Sequence, residues 1–100
     1  MVTLILGLND KDTLKPKMSV RKAMKRLGRT LVQNELGYTL TSATGGYQMD
    51  NGKWVRENSI RIELFTDKMR ARTLADQLKT EYNQESILLK VETQAEEEFV

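Results

Sequence analysis

Apolar and polar residues alternate with a period of two in four stretches of the chain, and with a period near 3.6 in two others. The first alternation sets Val2, Leu4, Leu6 and Leu8 against Thr3, Ile5 and Gly7. It is largely apolar on both sides, as a strand in the middle of a sheet would be. Tyr38, Leu40, Ser42 and Thr44 alternate with Thr39, Thr41 and Ala43, and Ile60, Ile62 and Leu64 alternate with Arg61, Glu63 and Phe65. Ile87, Leu89 and Val91 against Leu88, Lys90 and Glu92 give a last strand. Between these, Val20, Ala23, Met24, Leu27 and Leu31 form one face of an amphipathic helix that Ser19 caps and Gly37 is expected to end as its C′ residue. Ala71, Leu74, Ala75, Leu78 and Tyr82 form the inner face of a second helix capped by Thr66 or Asp67.

The pattern is a β-α-β unit written twice and joined by a hairpin. It predicts an α+β, ferredoxin-like βαββαβ two-layer sandwich, with a four-stranded antiparallel sheet in the order 4-1-3-2 and both helices on one face. Residues 1–93 form one domain in this reading, and 94–100 an acidic, frayed tail.

Asn51-Gly52 is a strong hairpin signal, because a type I′ turn needs positive φ at both central residues. Counted outward from a two-residue turn, however, Ile62 would face Thr41. One extra residue in the incoming strand sets Leu40 opposite Ile62 and Tyr38 opposite Leu64, and Gly45-Gly46 is the natural place for such a β-bulge. The tip, Gln48 to Val55, should then project beyond the sheet. The same topology gathers Asn9 and Asp10, Gly45 to Ser59, and Asn83 to Ser86 at one edge.

The hundred residues include neither Cys nor His and carry a net charge of +2. That inventory removes disulfides, thiolate and imidazole metal sites, and Ser-His or Cys-His catalysis. No cofactor or metal is expected, and no catalytic residues stand out. The apolar run Met1 to Leu8 is too short to cross a membrane and has no basic flank, so a cytoplasmic chain is expected.

Gly37-x-Thr39, Ala43-x-Gly45, Gly52, Arg56-Glu57-x-Ser59 and Tyr82-x-Gln84-Glu85-Ser86-Ile87-Leu88 together resemble the pattern of a family of small, often exported bacterial proteins of unknown function. That pattern runs G-x-T, A-x-G-x-W, G, R-E-x-S, then F-x-Q-E-S-V-L. Tyr47, Gly52-Lys53, Glu57 and Thr66 are more loosely similar to the hairpin of CutA and its PII-like relatives. The resemblance implies a ferredoxin-like fold and an oligomer, a dimer or trimer.

Two surfaces carry candidate residues. Tyr47, Met49 and Trp54 at the projecting tip, with Arg56, Glu57, Gln84 and Glu85 at the converging edge, suit a protein or small-molecule partner. Glu57 and Gln84 could equally serve only to satisfy exposed backbone groups at the strand ends. Arg21, Lys22, Lys25, Arg26 and Arg29 span an arc of about 140° on the first helix. This arc could track a phosphate backbone or an acidic partner, although no aromatic is interleaved for base stacking and a solvated helix face explains it too. The sequence therefore reads as a non-enzymatic, self-associating binding or regulatory module acting through the hairpin edge, of the sort that serves a phage or mobile element as an accessory protein. Nucleic-acid binding through the first helix is the alternative.

Overall fold

The structure, a computed structural model, describes residues 1–92 and Glu98. The expected frayed tail at 94–100 lies outside the described residues, Glu98 apart. Six elements follow in the order β1 (Val2–Gly7), α1 (Val20–Gln33), β2 (Tyr38–Gln48), β3 (Trp54–Leu64), α2 (Lys68–Glu81) and β4 (Leu88–Val91). The sheet order is β2-β3-β1-β4, which is the expected order seen from its other edge. β1 pairs antiparallel with β3 from Val2↔Leu64 to Gly7↔Ser59 and with β4 from Val2↔Val91 to Ile5↔Leu88.

This register puts Val2, Leu4, Leu6, Ile60, Ile62 and Leu64 on one face, where they meet Ala23, Leu27 and Leu31 of α1 and Ala71, Leu74 and Leu78 of α2. Burying a Leu or Ile side chain is worth roughly 1.5–3 kcal/mol, so this layer supplies most of the drive to fold. No helix among the described residues is long and apolar enough to cross a membrane.

Both helices start as the sequence indicates. The Ser19 hydroxyl accepts from Lys22 N at 3.2 Å, and the Asp67 carboxylate accepts from Arg70 N at 2.8 Å. Their ends correct the expectation placed on Gly37. Glu35 takes the left-handed conformation (φ 56°), with Glu35 N donating to Val32 O and Leu36 N to Leu31 O, both at 3.0 Å. This is a Schellman motif, and it forms at Glu35 because the next residue, Leu36, is apolar and turns into the core. Asn83 (φ 47°) ends α2 in the same way, with Gln84 N donating to Lys79 O at 2.9 Å.

The hairpin holds the expected register but not the expected bulge. β2 and β3 pair without interruption from Tyr38↔Leu64 to Gln48↔Trp54, straight through Gly45↔Glu57 and Gly46↔Arg56. The additional residue sits in the turn. Met49 N donates to Lys53 O at 2.8 Å and Gly52 N to Met49 O at 2.9 Å, so Asp50-Asn51-Gly52 is a three-residue loop with only Gly52 at positive φ (84°). The Asn51 side chain stabilises that loop by accepting from Lys53 N at 3.0 Å. Since β1 stops at Gly7↔Ser59, the hairpin beyond Ser59 projects past the sheet.

Candidate functional site

Where β1 ends, the chain cannot simply stop pairing, because its buried backbone groups still need partners. Leu8 N donates to Asn58 O at 3.0 Å, and Asn9 then uses three groups at once. Its backbone N donates to Glu57 Oε2 (3.0 Å), its side-chain Nδ2 to Arg56 O (3.2 Å), and its carbonyl accepts from Gln84 Nε2 (2.7 Å). Asn9 therefore ties the base of the projecting hairpin to the end of α2. The loop clustering read from topology is present, with Asn9 as its hub.

Asp10 fixes the loop that follows. Only 2% of its surface is exposed. Its Oδ1 accepts from Asp12 N (2.9 Å) and Thr13 N (3.2 Å), and its Oδ2 from Asn83 Nδ2 and Lys17 Nζ (2.8 Å each). The Lys17 ammonium, and after it the Asn83 amide, hold the Asp10 carboxyl well below the usual carboxylate range. Lys11 N adds a backbone bond to Asn83 O at 3.1 Å, which completes the link from loop to helix end.

Above this frame lies a half-enclosed cleft of about 330 Å³, walled by Asn9, Lys11, Tyr47, Glu57, Gln84 and Glu85 among others. Glu57 is set into it with little freedom. Its carboxylate lies over Gly7, where an added Cβ would come within 2.6 Å of Cδ and both carboxylate oxygens. Only a strand residue without a side chain leaves that space. One oxygen takes the Asn9 N–H, and Oε1 has no hydrogen-bond partner among the described residues. A positioned carboxylate and an aromatic ring in one cleft, with a single lysine nearby, suit a small organic cation that also bears an anionic group.

Four of the seven residues expected at this edge, Tyr47, Glu57, Gln84 and Glu85, meet at the cleft. The other three do not. Arg56 contributes its carbonyl to Asn9 while its side chain points to solvent, Met49 belongs to the tip turn, and Trp54 stands 72% exposed across from Gln48. Glu57 and Gln84 do satisfy backbone groups, as the structural alternative holds, yet both also wall the cleft. Gly7, Asn9, Asp10, Lys11 and Asn83 were not among the candidates. Gly7 was findable, since an isolated glycine within a strand pattern signals close approach of another group.

The five cations of α1 are all exposed. Arg26 lies over the Tyr82 ring, 5.4 Å from its centroid. The Tyr82 hydroxyl is buried without a hydrogen-bond partner among the described residues, and burial, more than its charged neighbours, raises its pKa above the ordinary value of 10.0.

No protein-family model and no curated protein matches the chain. Two solved structures do, both of a phage SAM lyase: one in complex with S-methyl-5'-thioadenosine, the other in the apo state. Each is 21% identical with a TM-score of 0.65, and the match covers 88% of this chain and 75% or 74% of the other. Neither is a CutA or PII-like protein. The expectation of a non-enzymatic module is overturned, because both matched chains belong to an enzyme. The lack of His and Cys is not a lack of chemistry. It removes particular mechanisms, whereas a fixed carboxylate and a tyrosine in a half-enclosed cleft serve others. What the chain shares with the phage SAM lyase is its fold.

Proposed function

We propose that this chain is a lyase acting on S-adenosylmethionine at the Glu57 cleft. The observation that carries the reading is the Glu57 carboxylate, pinned over Gly7 by the Asn9 N–H with its second oxygen unpartnered among the described residues. The fold shared with phage SAM lyase supports it.

The chemistry constrains what the residues can do. S-methyl-5'-thioadenosine keeps the methyl and adenosyl groups of the sulfonium, so the bond that breaks joins sulfur to the aminocarboxypropyl chain. Its electron pair stays on sulfur, which becomes a neutral thioether. The carbon released is taken by the substrate's own carboxylate, closing a five-membered lactone, or else it loses a neighbouring proton to leave an alkene. Lactone closure needs no general base and fits a chain without histidine.

In that closure a carboxylate and a sulfonium annihilate each other's charge, so a protein carboxylate aimed at sulfur would stabilise the substrate more than the transition state. Glu57 is better used on the α-ammonium group, whose charge persists throughout. Holding it there bends the chain so that the substrate carboxylate approaches the carbon it attacks, which is catalysis by positioning. Partial exclusion of water by the cleft favours the loss of charge, and the Tyr47 ring offers a face for the sulfonium or the adenine.

Incubating the purified chain with S-adenosylmethionine and separating the products by chromatography tests the reading. Equimolar S-methyl-5'-thioadenosine is expected, with kcat/KM lowered about 3- to 30-fold in Tyr47→Ala through loss of the ring. Absence of turnover at high enzyme concentration would refute it.

A further inference from the structure

The groove between α1 and β2 is larger than the Glu57 cleft, about 570 Å³, and the proposed lyase activity makes no use of it. Its apolar walls are Met24, Val32 and Leu40, its rim carries Lys25 and Arg29, and the Tyr38 ring lies in it, 38% exposed. Gly28 makes room for that ring: a Cβ there would stand 3.3 Å from the Tyr38 hydroxyl oxygen. The sequence offered no aromatic near the basic helix, and the fold brings one from the next strand.

The charge on this side is unbalanced. α1 contains five cations and no Asp or Glu. Among the described residues the ion pairs are Lys17–Asp10 and Arg61–Glu63, so no carboxylate neutralises the helix. Arg26 is occupied by Tyr82, which leaves Arg21, Lys22, Lys25 and Arg29. Arg21, Lys25 and Arg29 recur every fourth residue, a spacing of about 6 Å along the axis. That is close to the separation of successive phosphates in an extended single strand.

We infer that the α1–β2 groove binds single-stranded nucleic acid, with phosphates along Arg21, Lys25 and Arg29 and a base stacked on Tyr38 between the apolar walls. A basic track beside an aromatic platform is what sequence-tolerant single-strand recognition uses. A basic helix alone would suit any polyanion. The aromatic, apolar groove beside it favours a ligand with flat bases free to leave their stack, and a duplex cannot offer them.

Fluorescence anisotropy with a labelled DNA single strand of mixed sequence, about 12 nucleotides long, tests this. Binding at low salt is expected, with a slope of log K against log salt of about −2 to −3 for three or four phosphates. Lys25→Glu with Arg29→Glu, on the exposed surface, should abolish it. Tyr38→Ala should weaken binding roughly 5- to 100-fold and leave the salt slope unchanged, while Tyr38→Phe retains the affinity. No binding at low salt, indifference to Tyr38→Ala in a folded variant, or equal affinity for the duplex of the same sequence would each overturn the inference. Because the readout involves no S-adenosylmethionine, it stands or falls independently of the lyase reading.

Discussion

Replacing Gly7 with alanine should reduce conversion of S-adenosylmethionine by about 100-fold while the chain still folds, with a melting temperature lowered by a few degrees. Both halves follow from the same contact. An added methyl would sit 2.6 Å from the Glu57 carboxylate, which must move. What it meets is the end of a flexible side chain and not backbone, so the fold can yield by letting Glu57 swing outward. The Asn9 N–H then loses its acceptor, and the carboxylate is no longer fixed where the ammonium group of the substrate is to be held. Glu57→Gln keeps the side chain in place but removes its charge, and it should lose a comparable part of kcat/KM. Thermal melting beside steady-state kinetics checks both variants. A Gly7→Ala chain with full activity would show that the carboxylate does not need its seat, and one that fails to fold would make Gly7 structural only.

Asp10→Asn should lower the melting temperature by several degrees at neutral pH and remove one limb of the acid denaturation curve. Asp10 Oδ2 now accepts from two donors, the Asn83 amide and the Lys17 ammonium. Asparagine can present one carbonyl oxygen to the Asp12 and Thr13 N–H groups, but its own amide then faces both donors. Lys17, 65% exposed, can turn to water and the Asn83 amide keeps Asp12 Oδ2 at 2.8 Å, but two amide groups would face each other at a nearly buried position with no acceptor between them, which costs more than the hydrogen bonds themselves.

The sign with pH is fixed by the direction of the Asp10 shift. Its pKa in the folded chain is depressed, so its contribution is fully present above the ordinary value of 3.8 and is lost as pH falls from there towards the folded value. The gap in melting temperature between parent and Asp10→Asn should therefore stay constant down to about pH 4 and narrow below it. A gap that does not change with pH would mean that Asp10 stabilises the loop by shape and not by charge.

The sheet, the two helices and their caps were legible because each rests on a local periodic signal that tertiary packing reinforces. Leu4, Leu6, Ile60 and Ile62 could be placed on one face from alternation alone, and all four are fully buried. The register of Leu40 with Ile62 was also legible, since the wrong register would put apolar residues on the polar face. Its physical cause was not. An additional residue can be absorbed in a bulge or in a turn with the same effect on register, and only the backbone conformation of Asn51 distinguishes them. Glu35 and Asn83 at positive φ were missed for a related reason: the preference for glycine is about 1–2 kcal/mol, which the packing of Leu36 and the bonds to Asp10 can outweigh.

The site was legible as a meeting of loops but not as a cleft. Topology brings Asn9, Glu57 and Gln84 together, whereas the direction of each side chain depends on Gly7 and Asn9. Glu57 stood among the candidates for its polarity. What makes it more than a surface carboxylate is the missing Cβ opposite it. Tyr38 beside α1 was hidden in the same way, because the basic helix and its aromatic neighbour belong to different elements and meet at Gly28.

The most direct measurement is a crystal structure with S-adenosylhomocysteine, the thioether analogue that keeps the amino-acid end of the substrate but cannot release it. The ligand is expected in the cleft between Asn9, Tyr47, Glu57 and Gln84, with its ammonium group within hydrogen-bond distance of Glu57 Oε1. A ligand lodged instead in the α1–β2 groove, or no uptake by the folded chain at high ligand concentration, would contradict the assignment of the Glu57 cleft.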